Sequence, residues 1–222
     1  NGIYSKLNNC DFVNYLMKFD VISLQESWCI DYSDVCNMLL GYTCYFCRAK
    51  TSLRAGRLMG GILVYVKDNI NPLIMRIYED FSYGILLIFK RGSLLYEQDV
   101  LYITLYNPPL GSPFHDNVDS NGLTVLEDLL YNNELNLFAM PMIVCGDLNA
   151  RTSTLDDFVM TCKNVTNLEL VSTIFDNDVN DERFSKDHVI NSYGKQLLQF
   201  CISLSLCILN GRIGFPPESI FT

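Results

Sequence analysis

Between Thr43 and Tyr106 five apolar stretches follow one another: Thr43–Lys50, Gly60–Lys67, Leu73–Glu79, Tyr83–Lys90 and Val100–Tyr106. Each is the length of a strand, and the breaks at Arg54–Gly56, Asp68–Pro72 and Arg91–Ser93 carry turn chemistry. This succession constrains the fold more than any other feature. Helical patterns are isolated around it. Leu7–Phe19 places Phe12, Val13, Leu16 and Met17 at helical spacing, Asp20–Gln25 follows as a short apolar strand, and Asp31–Leu40 reads as a short helix stopped by Gly41. Downstream, a helix over Leu123–Asn136 precedes a strand over Met142–Cys145 that runs into Gly146–Asn149. Asp176–Asp187 reads as loop, Gly194–Leu206 as a last helix and Cys207–Asn210 as a last strand. Strand runs punctuated by single helices imply packed sheets with helices outside them, rather than strict strand–helix alternation. The pattern shows no repeats and no Pro/Gly/Ser linker, so one domain over residues 1–222 is expected.

Composition agrees with a large buried core. Apolar residues make up 49% of the 222 and charged residues 18%, below the roughly 25% of an average domain. With 16 basic and 25 acidic residues the net charge is −9, which excludes a protein that coats DNA by charge alone. The acids are unevenly spread, however. From Val35 through Lys67 there is no Asp or Glu, while Arg48, Lys50, Arg54, Arg57 and Lys67 are all present. That stretch is either a solvated face or a ridge that meets phosphates. No membrane span is expected, because the longest apolar runs, Tyr83–Phe89 and Leu137–Cys145 with its Pro141, fall far short of about 20 residues. No targeting signal is visible, and with Asn1 rather than Met as first residue a natural start upstream is an expectation. The nine cysteines fit a reducing compartment better than a disulfide framework. Cys44 and Cys47 form a lone CxxC within a strand, where residues three apart face opposite sides; the pattern disfavours zinc.

Three strand ends carry chemistry. Gly146-Asp147-Leu148-Asn149-Ala150-Arg151 follows an apolar strand directly, so Asp147 and Asn149 project to the same side, two residues apart. A carboxylate there can orient or deprotonate a water, and an amide beside it can donate to a phosphate oxygen. The plain alternative is an Asx-rich turn capping a helix. Gln25-Glu26-Ser27 ends the strand over Val21–Leu24, and its Glu26 is a candidate ligand for Mg²⁺, a cation that takes oxygen donors and keeps several waters. Tyr106-Asn107-Pro108-Pro109 ends another strand in a phenol before a rigid turn. It is either an interfacial tyrosine or a donor aimed at a phosphoryl oxygen. Three polar groups from three strands can gather at one edge of a rigid scaffold.

Taken in order, Asn1-Gly2-Ile3, Gln25-Glu26-Ser27-Trp28, Gly60-Gly61-Ile62, Tyr106-Asn107-Pro108 and Gly146-Asp147-Leu148-Asn149-Ala150-Arg151 resemble the endonuclease/exonuclease/phosphatase superfamily. Arg183-Phe184-Ser185-Lys186-Asp187, then Asn191, Gly194, Leu197-Leu198 and Cys201, are similar to a segment of the endonuclease domains of non-LTR retrotransposons. The resemblance implies a four-layered α/β sandwich of two packed, mostly antiparallel sheets flanked by helices, incomplete at its edges. It implies cleavage of phosphodiesters, with DNA as partner, a reverse transcriptase domain in the parent polyprotein and a nuclear place of action. Mg²⁺ or Mn²⁺ is the implied cofactor, held by Glu26 and by Asn1. Asp147 would align or activate the attacking water, Asn149 would hold a phosphate oxygen and Tyr106 would stabilise transition-state charge. Arg48, Lys50, Arg54, Arg57 and Arg151 are the candidates for DNA contact. The family pattern also has an Asn ahead of Asn1, and a further Asp and an Asp-His pair near its end. The 222 residues contain none of these in context, so the chain by itself is expected to be weak or inactive. Competing expectations are a catalytically dead remnant that only binds, and a phosphoinositide or sphingomyelin phosphohydrolase. Target site, metal number and oligomeric state stay open at this stage.

Overall fold

In the computed structural model, which describes residues 3–51, 56–78, 82–93, 97–117, 121–132, 137–157, 183–185 and 187–212, the chain forms a mixed α/β structure. Its elements in order are α1 (Ile3–Leu7), α2 (Cys10–Leu16), β1 (Val21–Gln25), β2 (Tyr42–Cys47), β3 (Lys50–Thr51), β4 (Leu58–Met59), β5 (Ile62–Lys67), β6 (Ile74–Tyr78), β7 (Gly84–Phe89), β8 (Val100–Tyr106), α3 (Gly122–Tyr131), β9 (Met142–Asp147) and α4 (Ser192–Ser203). The chain divides into two compact units, Asn1–Leu148 and Asn149–Thr222.

The first unit holds both main sheets. β5 lies between β1 and β2 and is antiparallel to each, with Val21 opposite Val66 and Tyr42 opposite Lys67. The second sheet runs β6-β7-β8-β9; its first two pairings are antiparallel and β8-β9 is parallel. Alternation assigns each face of the first sheet. Ile22, Tyr42, Cys44, Leu63 and Tyr65 share one face and pack with Ile3, Leu7 and Leu16 of α1 and α2 in a buried cluster. Ser23 and Gln25, on the other face of β1, reach the second sheet: Ser23 Oγ bonds Thr104 Oγ1, and Gln25 Nε2 donates to the Leu105 carbonyl at 2.9 Å. The sheets therefore meet face to face.

All six residues of β7 are buried, as expected of a strand covered on both sides. Burying each such aliphatic side chain contributes roughly 1.5–3 kcal/mol. A parallel neighbour requires a crossover, and the connection from β8 to β9 contains α3. Because the first sheet occupies the other face, α3 covers the outer one, burying Leu123, Leu126 and Leu130. The order helix, sheet, sheet, helix is the four-layered arrangement expected. A small β3-β4 hairpin pairs Lys50 with Met59 and Thr51 with Leu58.

Several expected elements differ. Of the helix expected over Leu7–Phe19 only α2, Cys10–Leu16, forms, with α1 ahead of it, because the Asn9 side chain accepts the Phe12 N–H and starts a new helix there. Over Asp31–Leu40 only Tyr32–Asp34 forms a 3₁₀ turn. Its backbone bonds are mixed: Asp34→Asp31, Val35→Tyr32 and Met38→Val35 span three residues and Cys36→Tyr32 spans four, so one tight turn forms without a helix. Cys207–Asn210 is not a strand: the Ile208 N–H goes to the Asp157 carboxylate and its carbonyl to Arg212. Most of the Asp176–Asp187 loop lies outside the described residues. Cys44 belongs to the helix-side core, and alternation turns Cys47 to the opposite face.

The second unit is tied by ion pairs. Arg212 makes a bidentate pair with Asp157, 2.7 Å at both nitrogens and buried. Burial opposes the charge on Asp157, but the guanidinium outweighs it and holds the carboxyl below its ordinary range. Arg183 donates to Thr152 Oγ1 at 2.6 Å and to the Leu155 carbonyl. α4 is capped by Asn191, whose side chain accepts the Gly194 N–H at 2.7 Å.

Candidate active site

The first strand ends in a strained corner. Glu26 and Trp28 have φ of 54° and 53°, the left-handed region that costs non-glycine residues of order 1–3 kcal/mol each. The corner persists because the backbone fixes it: the Ser27 N–H donates to the Gly61 carbonyl at 3.1 Å and the Trp28 N–H to the Gly60 carbonyl at 3.0 Å. Gly61 has to be glycine here, since a Cβ would stand 2.5 Å from the buried Ser27 Oγ and 3.1 Å from Ala49 Cβ. The Gly60-Gly61 pair thus supplies the partners that turn Glu26 out of the strand.

Gln25 couples this corner to the other sheet. While its Nε2 donates to Leu105, its Oε1 accepts the Asp147 N–H at 2.6 Å. Asn107, fully buried, grips the same strand end from the far side: its N–H donates to the Asp147 carbonyl at 2.8 Å and its Nδ2 to the Leu148 carbonyl at 3.3 Å. Its Oδ1 accepts the Gly122 N–H at 2.9 Å, which ties the start of α3 into the same bracket. The backbone that carries Asp147 is therefore held from two sides by side-chain amides.

Tyr106 and Asp147 are register partners at the carboxyl ends of the parallel pair β8-β9, so both side chains leave the same face of the sheet. That face is also the one Thr104 turns toward β1. The Tyr106 phenol lies close enough to Glu26 to feel its carboxylate. Burial pushes its pKa far above the ordinary tyrosine value, the nearby carboxylates of Glu26 and Asp147 push it further, and Arg57 opposes them. The phenol is a proton-bearing donor at neutral pH. Trp28 Nε1 donates to Glu26, at 2.5 Å from Oε2. The Tyr106 ring packs edge-on against Phe114, centroids 6.0 Å apart. Glu26, Tyr106 and Asp147 thus come together from the ends of β1, β8 and β9.

The remaining candidates are distributed differently. Arg48 and Arg57 are exposed, and the Arg57 charge is felt at Tyr106. Lys50 is half-buried with its ammonium 4.4 Å from the Phe114 ring centroid, and burial lowers its pKa. Asn149 and Arg151 open the second unit. Asn149 has φ 47° and its carbonyl accepts Asn191 Nδ2 at 2.8 Å. Arg151 makes a bidentate pair with Asp187, 2.7 Å at Nε and at Nη2, and this partner holds the Asp187 carboxyl down to about 2. Asn1 and Arg54 lie outside the described residues.

The donor set suits a hard cation. Two carboxylates, Glu26 and Asp147, neighbour one phenol; Mg²⁺ is typically held by one or two carboxylates and otherwise keeps its waters. A carboxylate has about four lone-pair sites, and the Trp28 donor on Glu26 leaves room for a cation. Among the described residues no group of three or more His, Cys, Asp or Glu is placed to hold a metal ion.

Reasoning from sequence missed Gln25, Asn107 and Trp28 as working parts. The signal for Gln25 was present: two residues after Ser23, on the strand face opposite Ile22 and Leu24, an amide at an apolar strand end needs partners.

The fold is a two-sheet sandwich that carries two carboxylates and a phenol at the ends of three strands. The sequence profile of the Endonuclease/Exonuclease/phosphatase family matches residues 3–189, and the chain belongs to that family. Its general chemistry is hydrolysis of phosphodiester and phosphate-ester bonds. The comparison with curated proteins gave no match. Among the described residues no helix is long and apolar enough to cross a membrane.

Proposed function

We propose that the chain is a Mg²⁺- or Mn²⁺-dependent endonuclease domain that nicks DNA, of the kind carried by non-LTR retrotransposons beside a reverse transcriptase and acting in the nucleus. The observation that supports this reading best is the gathering of Glu26, Tyr106 and Asp147 at three strand ends. The Arg183–Cys201 segment supports the retrotransposon subtype, and the acid-free stretch from Val35 through Lys67 supports a polyanionic partner. Arg48, Lys50, Arg54 and Arg57 are the proposed backbone contacts, with Arg151 as a further candidate that Asp187 restrains.

Each residue has a role its chemistry allows. Glu26, with Asn1, would hold the cation. A bound Mg²⁺ supplies charge neutralisation at the phosphoryl group and at the departing oxygen. Asp147, fixed through its backbone by Gln25 and Asn107, orients a water and takes its proton. Tyr106 donates a hydrogen bond to a non-bridging oxygen as negative charge builds there. Asn149 donates to a second phosphate oxygen through its amide.

Nicking of supercoiled plasmid with Mg²⁺, Mn²⁺ or EDTA tests the reading. The expected result is weak, cation-dependent formation of relaxed circles by these 222 residues, lowered roughly a further 10²–10³-fold by Tyr106→Phe. Plasmid binding without nicking in either cation points to the binding-only alternative. Hydrolysis confined to inositol phosphates or sphingomyelin points to the headgroup enzyme.

A further inference from the structure

We infer that Trp28 is the positioning residue of Glu26: its indole N–H fixes the carboxylate in the orientation that receives the cation, an inference that rests on Glu26 being a cation ligand. Trp28 does not serve the core, since it is 40% exposed. Nor is its backbone comfortable, with φ at 53° and the Trp28 N–H tied to the Gly60 carbonyl. What this conformation achieves is to lay the ring edge against Glu26, with Nε1 2.5 Å from Oε2.

The choice of donor has a chemical logic. A lysine or arginine in this place would also orient the carboxylate, but its positive charge would neutralise Glu26 and compete with a divalent cation. An indole N–H donates only, carries no charge and does not titrate in the working range. It therefore fixes the carboxylate without bringing a competing positive charge to it. Partners that orient a metal ligand in this way typically contribute 10–100-fold to metal affinity.

Trp28 is the single tryptophan of the chain, so its fluorescence reports this site alone. The experiment measures Mn²⁺ binding from the loss of the free-ion electron paramagnetic resonance signal in wild type, Trp28→Phe and Glu26→Gln. The difference between wild type and Glu26→Gln removes ions taken up by other carboxylates. Trp28→Phe keeps an aromatic ring and loses the donor; it should raise the site's Kd about 10–100-fold while leaving the melting temperature near wild type. In the wild type, which needs no substitution to fold, Mn²⁺ should quench Trp28 fluorescence with the same midpoint, and Glu26→Gln should abolish that quenching. A Trp28→Phe affinity within twofold of wild type, or wild-type fluorescence that ignores saturating Mn²⁺, overturns the positioning role alone when Glu26→Gln still loses the ion. Undiminished Mn²⁺ uptake by Glu26→Gln overturns the assignment of Glu26 as ligand, and the role of Trp28 with it.

Discussion

Replacing Gly146 by alanine is the sharpest test of how Asp147 is held. Gly146 has φ of 133°, and a Cβ on it would stand 2.1 Å from the Leu105 carbonyl oxygen and 2.1 Å from Gln25 Nε2. Neither neighbour yields cheaply. Leu105 is β8 backbone, paired with Gly84 on one side and opposite Gly146 on the other. Gln25 can swing away only by giving up Leu105 and the Asp147 N–H, each hydrogen bond contributing about 1 kcal/mol. The left-handed backbone adds about 1–3 kcal/mol and overpacking about 1–3 kcal/mol. The substitution should therefore cost about 4–8 kcal/mol, comparable to much of the 5–15 kcal/mol typical of a folded protein. Gly92→Ala is the reference: φ is 80° but no atom lies within 4 Å, so only the conformational cost of about 1–2 kcal/mol applies. Urea unfolding of both variants gives the comparison from the midpoints. If the two losses agree within about 1 kcal/mol, the close approach of β1 and β9 at Gln25 is not what the geometry says it is.

Three further outcomes follow from the same geometry. Gln25→Leu keeps the volume but removes both bonds, and should lower nicking while the cation Kd stays near wild type; a lowered cation affinity instead would place Gln25 with Glu26 rather than with Asp147. Asp157→Asn leaves the buried Arg212 without its charge partner and should destabilise by about 3–5 kcal/mol in urea unfolding, whereas a loss under about 1 kcal/mol would refute a buried pair. The Arg151–Asp187 pair lowers the Asp187 carboxyl to about 2, against about 3.9 in an unfolded chain, so its stabilisation is complete above about pH 4 and lost as pH falls through about 2. The stability difference between wild type and Asp187→Asn should fade across that window, and a difference independent of pH would refute it.

Where local pattern and tertiary need coincide, the sequence was legible. β8 has the expected bounds, Val100–Tyr106, because an apolar run between turn residues can be buried only as a strand between two neighbours. Glu26, Tyr106 and Asp147 were read at the ends of such runs, and the structure places each of them at or next to a strand end. What failed was governed by partners distant in sequence. Asn9 breaks the first helix by a capping bond that competes with continuation. The 31–40 segment is held in tight turns while Tyr65, 30 residues on, donates to the Val35 carbonyl. Ile208 spends its N–H on Asp157, 51 residues earlier, and so cannot join a ladder. The amide bracket of Gln25 and Asn107 likewise depends on the register between two sheets, which no local period encodes.

The central claim is that Glu26, Tyr106 and Asp147 form one phosphate-ester-cleaving centre. The most direct measurement is the plasmid-nicking rate in Mg²⁺ for wild type, Tyr106→Phe, Asp147→Asn and the double variant. Residues acting as a unit should be strongly non-additive: each single change should cost about 10²–10³-fold, and the double variant should be little slower than the slower single one. Single variants that nick at the wild-type rate, or a wild-type rate unchanged by EDTA, would contradict the claim.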